Sequence, residues 1–150
     1  MFLAVTLIPA VGICQSLGYA DADNPSEAVG MMQTTMLTAR IMKEECIKRF
    51  PELTPQLDGN LSKWQAKEAD AIRKSNFYWA QMVKKDPSAA KQMPMVEAAV
   101  RKGLTAVSEM PSEAGTKTFS NTCTQHFSAL ASGIWRTRTP NAYKYLDSAP

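Results

Sequence analysis

The most reactive side-chain types in this 150-residue chain are three cysteines and a single histidine. Cys123 and His126 are three positions apart, so they are neighbours on one face if the segment is a helix. Such a pair could act as nucleophile and base, or supply two metal ligands. No second pair of ligands at helical spacing occurs in the sequence. The sequence therefore favours a structural cysteine beside a histidine without a chemical role, and it predicts neither a metal site nor a cofactor.

The other two cysteines decide what Cys123 is expected to do. Cys14 lies in the first twenty residues, which contain no charged side chain, whereas Cys46 lies near the end of a predicted helix. If the first segment is an export leader, its removal takes Cys14 away and leaves two thiols. When a chain in an oxidising compartment contains only two thiols, they are expected to form a disulfide. The sequence therefore predicts a disulfide between Cys46 and Cys123.

The leader itself reads MFLAVTLIPAVGICQSLGYA and covers residues 1–20. It is apolar early, and small residues precede Asp21 and Asp23, as in a secretory signal. We expect cleavage after Ala20, or after Ala22, and a periplasmic or secreted product. The mature chain is predicted to contain no transmembrane span, because the apolar run is short of the ~20 residues that a span requires.

Three alternatives to this interpretation stay open at the sequence level. The segment carries no Lys or Arg near Met1, so the natural start could lie further upstream. A buried N-terminal helix would also explain the apolar composition. Lipidation at Cys14 is a third possibility, although the large Ile13 stands where a small residue is usual.

A basic and aromatic run in the middle of the chain is the candidate binding surface. Three consecutive aromatic residues occupy positions 77–79, and a helix cannot turn all three towards the core. Exposed aromatic residues surrounded by positive charge often anchor interfaces. Such side chains can also stack on single-stranded nucleic acid. The net charge of only +3 and the expected export favour a protein partner. The candidate binding residues are Arg73, Lys74, Phe77, Tyr78 and Lys84.

Acidic and thioether side chains add two weaker hypotheses. Glu44 and Glu45, like Glu68 and Asp70, stand among lysines and arginines, which is typical of a solvated helix surface and not of an acid–base pair. A cluster of methionines in an exported protein can bind Cu(I). The methionines of the first predicted helix have core spacing, which favours a packing role.

Apolar residues recur at intervals of three and four along most of the chain, which predicts α-helices. Proline, glycine and capping residues mark the expected ends. The predicted helices cover residues 25–50, about 54–84, about 94–109 and about 112–135, followed by a short helical turn at NAYKYL. We expect Trp64 to lie in the core, because it follows Leu61 by three positions.

These elements predict an all-α fold, an antiparallel four-helix up-down bundle with a short C-terminal helical turn, in one domain of residues 21–150. No phosphate-binding loop, dinucleotide fingerprint, nucleophile elbow or zinc-protease motif occurs in the sequence. The favoured function is a non-catalytic protein-interaction module, such as an inhibitor, an immunity-type protein or an accessory chaperone. The rivals are a thiol- or metal-dependent enzyme using Cys123 and His126, and a small-ligand carrier. The sequence does not indicate an oligomeric state.

Overall fold

The computed structural model describes residues 21–109 and 112–149, and this part of the chain is almost entirely helical. It contains no strand within those ranges, so the all-α prediction is confirmed. The predicted leader, residues 1–20, lies outside the described residues. The α-helices are α1 (Pro25–Arg49), α2 (Thr54–Lys67), α3 (Ala69–Lys85), α4 (Gln92–Ser108), α5 (Glu113–Ser132), α6 (Ile134–Arg138) and α7 (Pro140–Ser148). Two short 3-10 turns, Pro51–Leu53 and Pro87–Lys91, connect α1 to α2 and α3 to α4.

Helix α1 begins with the capping arrangement that the sequence predicts. The Asn24 side-chain oxygen accepts a hydrogen bond from the Glu27 N–H at 3.0 Å, which satisfies one of the free donors of the first turn. The Glu27 carboxylate accepts from the Asn24 side-chain amide at 2.7 Å and from the N–H of Asp23, the residue before the cap, at 2.9 Å. Pro25 occupies the first turn, and the helix ends at Arg49, two residues before Pro51. Local signals therefore set both ends of α1.

The second predicted helix is divided in two. Glu68 has φ −103° and ψ 15°, outside the helical region, so α2 ends at Lys67 and α3 starts at Ala69. The Glu68 side chain is drawn into the core by a contact with Arg136, which is distant in sequence. The helix propensities of the individual residues around Glu68 do not predict this break.

The fourth predicted helix also ends earlier than expected. Gly133 adopts a left-handed conformation with φ 76°, which glycine tolerates best, and it terminates α5 at Ser132. A Cβ atom at this position would also require the flexible end of the Lys67 side chain to move. The chain then continues as the separate helices α6 and α7.

One hydrophobic cluster links most of these elements, and α1 lies at its centre. Helix α1 contacts α3, α4, α5 and α7, and α2 packs mainly on α5. Trp64 is 1% exposed, which confirms its predicted place in the core. The side chains that are almost completely enclosed include Ile41, Leu57, Trp64, Phe119, Phe127 and Leu130.

The predicted disulfide joins α1 to α5. Cys46 and Cys123 are bonded, with their Cα atoms 5.9 Å apart, and both residues are fully buried. The bond closes a separation of 77 residues. It therefore links the end of the first helix to the middle of α5.

Candidate functional site

The outer face of α3 carries three of the five candidate binding residues. Phe77 is 56% exposed, and Arg73 and Lys84 are also exposed. Positions 73, 77 and 84 are separated by four and seven residues, so they lie on one side of the helix. We call Arg73, Phe77 and Lys84 the α3 face. The α3 face therefore exposes an aromatic ring between two cations on a regular helix.

The other two candidate residues do not belong to this face. Lys74 keeps only 12% of its side chain exposed, and its ammonium group donates to the Asp147 backbone carbonyl at 2.9 Å. Tyr78 is half-buried and turns its ring edge-on to Phe77, with ring centroids 5.3 Å apart. Each of the two follows Arg73 or Phe77 by one position, so it is rotated by about 100° from the α3 face. On this side of α3 both residues lie towards α7. The predicted set of five is therefore split between a surface and an internal contact.

The inner side of α3 is fastened to α1. Ser75 is fully buried, and its hydroxyl donates to the Val29 carbonyl at 3.3 Å. The same hydroxyl accepts from the Gln33 side-chain amide at 3.1 Å, and Gln33 also donates to Asn76 at 2.9 Å. These polar contacts in an otherwise apolar contact region fix the rotation of α3. The α3 face is consequently held outward.

The Cys123–His126 pair has a structural arrangement. The sulfur of Cys123 is bonded to Cys46, so in this oxidised form it is neither a nucleophile nor a thiolate ligand. The Nε2 atom of His126 is buried and has no hydrogen-bond partner among the described residues. Burial lowers the pKa of His126 to about 4, so the ring is neutral near pH 7. The geometry therefore favours the structural interpretation of this pair.

The prediction made from the sequence is wrong for one charged residue, Glu68. It is expected on a solvated surface, but it is 1% exposed. Arg136 donates through Nε to both Glu68 carboxylate oxygens, at 3.2 and 2.9 Å, and Nη2 lies 2.8 Å from Oε2. Asp147 accepts from Nη1 of the same guanidinium at 2.9 Å. The carboxylate hydrogen bonds, that of Glu68 first, raise the pKa of Arg136 above its ordinary value.

Tyr143 completes this polar cluster, in which Glu68 and Tyr143 are the buried members. The Arg136 guanidinium lies over its ring, 4.4 Å from the centroid. Burial, and then the negative charge of Glu68, raises the pKa of the Tyr143 hydroxyl to about 12. The cluster connects the α2–α3 junction to α6 and α7, so its role is to hold the C-terminal helices in place. A pattern in the sequence could have predicted the burial of Glu68, because this residue continues the apolar stripe of Leu61 and Trp64 at helical spacing.

A shallow groove lies beside Tyr78. Its volume is about 310 Å³, and its walls come from the start of α1, the second half of α3 and the end of α7. The wall is mainly apolar, and it includes Pro25, Val29, Tyr78, Met82, Tyr145 and Leu146. This is the lower end of the volume range of small-molecule pockets.

The methionines divide between core and surface. Met32 and Met42 are buried in the main cluster, and Met31 and Met36 pack against it, as their spacing predicts. Met95 is 73% exposed on α4. Among the described residues, no three His, Cys, Asp or Glu side chains are grouped so that they could hold a metal ion.

In the part of the chain that the structure describes, no helix is both long and apolar enough to cross a bilayer. Comparison of the chain with models of known families, with curated proteins and with solved structures gave no match. The functional argument therefore depends on the residues and their geometry.

Proposed function

We propose that this chain is an exported, non-catalytic domain that binds another protein through the α3 face. The observation that carries the proposal is the 56% exposure of Phe77 between two exposed cations. A large aromatic side chain on a fixed helix loses little conformational entropy on binding and buries a large apolar area. Arg73 and Lys84 would then select a partner with acidic groups around an apolar pocket.

The proposed location outside the cytoplasm has two supports. Residues 1–20 are apolar and uncharged, and small residues precede both possible cleavage sites. The bonded pair Cys46–Cys123 fits an oxidising compartment, because cytosolic thiols are usually kept reduced. An inhibitor, an immunity-type protein and an accessory chaperone all fit this location and surface.

A protein partner is favoured over nucleic acid on electrostatic grounds. Nucleic-acid binding surfaces commonly combine many cations. On α3, Arg73 is paired with Asp70, and Lys74 is turned towards Asp147. Two exposed cations around one phenylalanine make a small, mixed patch that suits a protein surface better than a phosphate backbone.

The predicted up-down bundle is retained as part of this proposal. Contacts between α1 and α4 support it, since Glu97 meets Arg40 at 3.3 Å and Arg101, one turn later, meets Glu45 at 3.5 Å. Both helices then run in the same direction, as the first and third helices of such a bundle do. The contact between Phe50 and Phe119, at 5.9 Å between ring centroids, supports an α5 that starts near the end of α1.

Affinity capture from the envelope fraction of the natural host tests the interaction. We expect a partner that is retained by the wild-type protein and lost with Phe77→Ala. Met95→Ala is the matched control, because Met95 is the other large apolar side chain exposed in the described chain. A partner captured equally by both variants would place the interface elsewhere. Capture lost with both would indicate non-specific adsorption to apolar surface.

The groove beside Tyr78 supports a second candidate function, a carrier of small apolar ligands. Its volume of about 310 Å³ is sufficient for a small hydrophobic molecule. Fluorescence of N-phenyl-1-naphthylamine measures binding, and Ser26→Trp, at an exposed position of the groove wall, is expected to fill the groove and abolish the signal. Equal fluorescence from the wild type and this folded variant would exclude the groove as the binding place.

A further inference from the structure

The groove beside Tyr78 is continuous with the α3 face. The Tyr78 ring forms part of the groove wall, and the exposed Phe77 ring packs edge-on against it, with ring centroids 5.3 Å apart. Consecutive residues of a helix are rotated by about 100°, so Phe77 opens to solvent while Tyr78 turns to the groove. An exposed aromatic ring therefore stands at the edge of the groove, and a single bound segment can reach both.

Contacts behind the wall hold the groove in shape. The Tyr145 hydroxyl, on the α7 wall, donates to the Asp23 carbonyl at 3.0 Å. The Asp21 carboxylate accepts from the N–H groups of Asn141 and Ala142, at 2.8 and 3.0 Å. These two donors lie in the first turn of α7, where backbone N–H groups have no partner within the helix. Because α7 is fastened in this way to the residues before α1, the groove is preformed, which lowers the entropic cost of binding.

Two lysines flank the groove on opposite sides. Lys85 follows Met82 of the α3 wall by three positions, so the two are neighbours on the helix surface. Lys144 precedes Ser148 of the α7 wall by four positions and is its neighbour in the same way. Both lysines are exposed, and neither forms an ion pair with any residue that the structure describes. The rim of the groove therefore carries a positive charge on each side.

The acidic residues adjacent in sequence to the groove wall are engaged elsewhere. The Glu27 carboxylate accepts from the Asn24 side-chain amide at 2.7 Å. The Asp147 carboxylate is paired with Arg136 at 2.9 Å. The two flanking lysines consequently remain available to an anionic group of a ligand.

The size of the groove restricts what can fill it. Its volume of about 310 Å³ lies at the lower end of the range of small-molecule pockets. A shallow apolar groove of this size suits one large side chain better than a long hydrocarbon chain. Apolar side chains seated in such pockets are typical anchors of protein interfaces.

We propose that the groove receives an apolar side chain of the protein partner, and that acidic residues flanking this side chain pair with Lys85 and Lys144. This inference rests on the proposed function, and it extends the binding surface from the α3 face into the groove. Phe77 packs against the same segment of the partner. The chemistry of the partner is thereby specified as an apolar anchor within an acidic segment, because opposite charges around an apolar contact fix its position.

Two dyes with the same ring system test this chemistry. N-phenyl-1-naphthylamine is neutral, whereas 8-anilino-1-naphthalenesulfonate adds one sulfonate to the same skeleton. We expect the protein to bind the sulfonate roughly fivefold more tightly, because it can pair with a flanking lysine. The double variant Lys85→Gln and Lys144→Gln should abolish this preference. The control, Lys63→Gln with Lys102→Gln, removes the same charge from exposed positions of α2 and α4, which do not line the groove, and should preserve it. Equal binding of the two dyes, or a preference that survives the loss of Lys85 and Lys144, would overturn the proposal.

A filled groove tests whether the partner uses it. A photoreactive phenylalanine analogue at position 77 is irradiated in the natural host, in proteins with and without Ser26→Trp. We expect Ser26→Trp to lower the yield of crosslinked partner roughly tenfold, the effect of losing one interface anchor. Ser62→Trp, at an exposed position of α2, is the matched control and should leave the yield unchanged.

Two results would contradict this inference in different ways. A yield that Ser26→Trp does not lower would exclude the groove from the interface and leave the proposed function standing. The same result with tight binding of the sulfonate dye would assign the groove to small anionic ligands instead. Absence of any crosslinked partner at position 77 of the folded protein would overturn both the inference and the proposed function.

Discussion

The Glu68 carboxylate is the enclosed end of an ion pair whose other end, Arg136, keeps 37% of its side chain exposed. The two residues are 68 positions apart, and their contact joins the α2–α3 junction to the C-terminal helices. Enclosing a carboxylate is unfavourable unless cationic donors replace its water, which the fork of the guanidinium does. The pair therefore ties the α2–α3 junction to α6.

Removal of this pair gives the first prediction. Glu68→Ala leaves the guanidinium with fewer partners and a small void, so the free energy of unfolding should fall by about 2–3 kcal/mol. The partial exposure of Arg136 keeps the loss below that of a fully enclosed pair. Urea denaturation followed by circular dichroism measures it. As a control, Asp70→Ala removes the pairs that this exposed carboxylate makes with Arg73 and Lys74, and it should change the midpoint much less than Glu68→Ala does.

Protonation of His126 gives a pH prediction. The pKa of His126 is about 4 in the folded protein, below its ordinary value of 6.5. Between these two pH values the unfolded chain therefore binds one proton more than the folded chain. The stability contributed by neutral His126 is complete above pH 6.5 and is lost as the pH falls towards 4. Between pH 7 and pH 5 the loss should be about 2 kcal/mol.

The same denaturation series in a His126→Gln variant is the control. Its stability should change much less than that of the wild type over this pH range, because glutamine does not titrate. Equal slopes for the two proteins would show that His126 takes up its proton as easily in the fold as in the unfolded chain.

The disulfide should contribute mainly to stability. Its loop of 77 residues predicts a contribution of about 4–5 kcal/mol, because the bond restricts the unfolded chain. Reduction, or the double variant Cys46→Ala and Cys123→Ala, should lower the melting temperature strongly. Binding of the partner at low temperature should persist. Loss of binding by a reduced protein that is still folded would instead assign the bond a direct part in the interface.

Helix α4 should be the first element to open. None of its residues is fully buried, and it is tied to α1 by ion pairs of Arg101 with Glu44 and Glu45 and of Glu97 with Arg40. Hydrogen exchange should therefore be roughly tenfold or more faster in α4 than in α5. Added salt should accelerate exchange in α4 selectively, because it screens exposed charges. Exchange in α4 as slow as in α5, and insensitive to salt, would contradict this expectation.

Local signals made several features predictable from the sequence. Asn24 and Pro25 mark the start of α1, and Pro51 marks its end, because capping and ring constraints act within a few residues. The pairing of Cys46 with Cys123 follows from the number of cysteines that remain if the predicted leader is removed and from their positions on apolar stripes. Both inferences need no knowledge of distant contacts, and the structure confirms them.

Other features depend on contacts between distant segments. Glu68 is enclosed because Arg136 reaches it from α6, and the local sequence around Glu68, rich in charged residues, indicates the opposite. Similarly, Lys74 and Tyr78 are turned inward because α7 packs on that side of α3. Periodicity defines the faces of α3, but it does not say which of them a short terminal helix will cover.

Site-specific photo-crosslinking at position 77 tests the central claim, that the α3 face binds a protein partner, most directly. A photoreactive phenylalanine analogue replaces Phe77 in one protein and Met95 in another, and both are expressed in the natural host and irradiated. The account predicts a discrete crosslinked protein at position 77, absent at position 95 and weakened by Arg73→Glu and Lys84→Glu. No crosslink at position 77 in a folded, exported protein, or the same product from both positions, would contradict it.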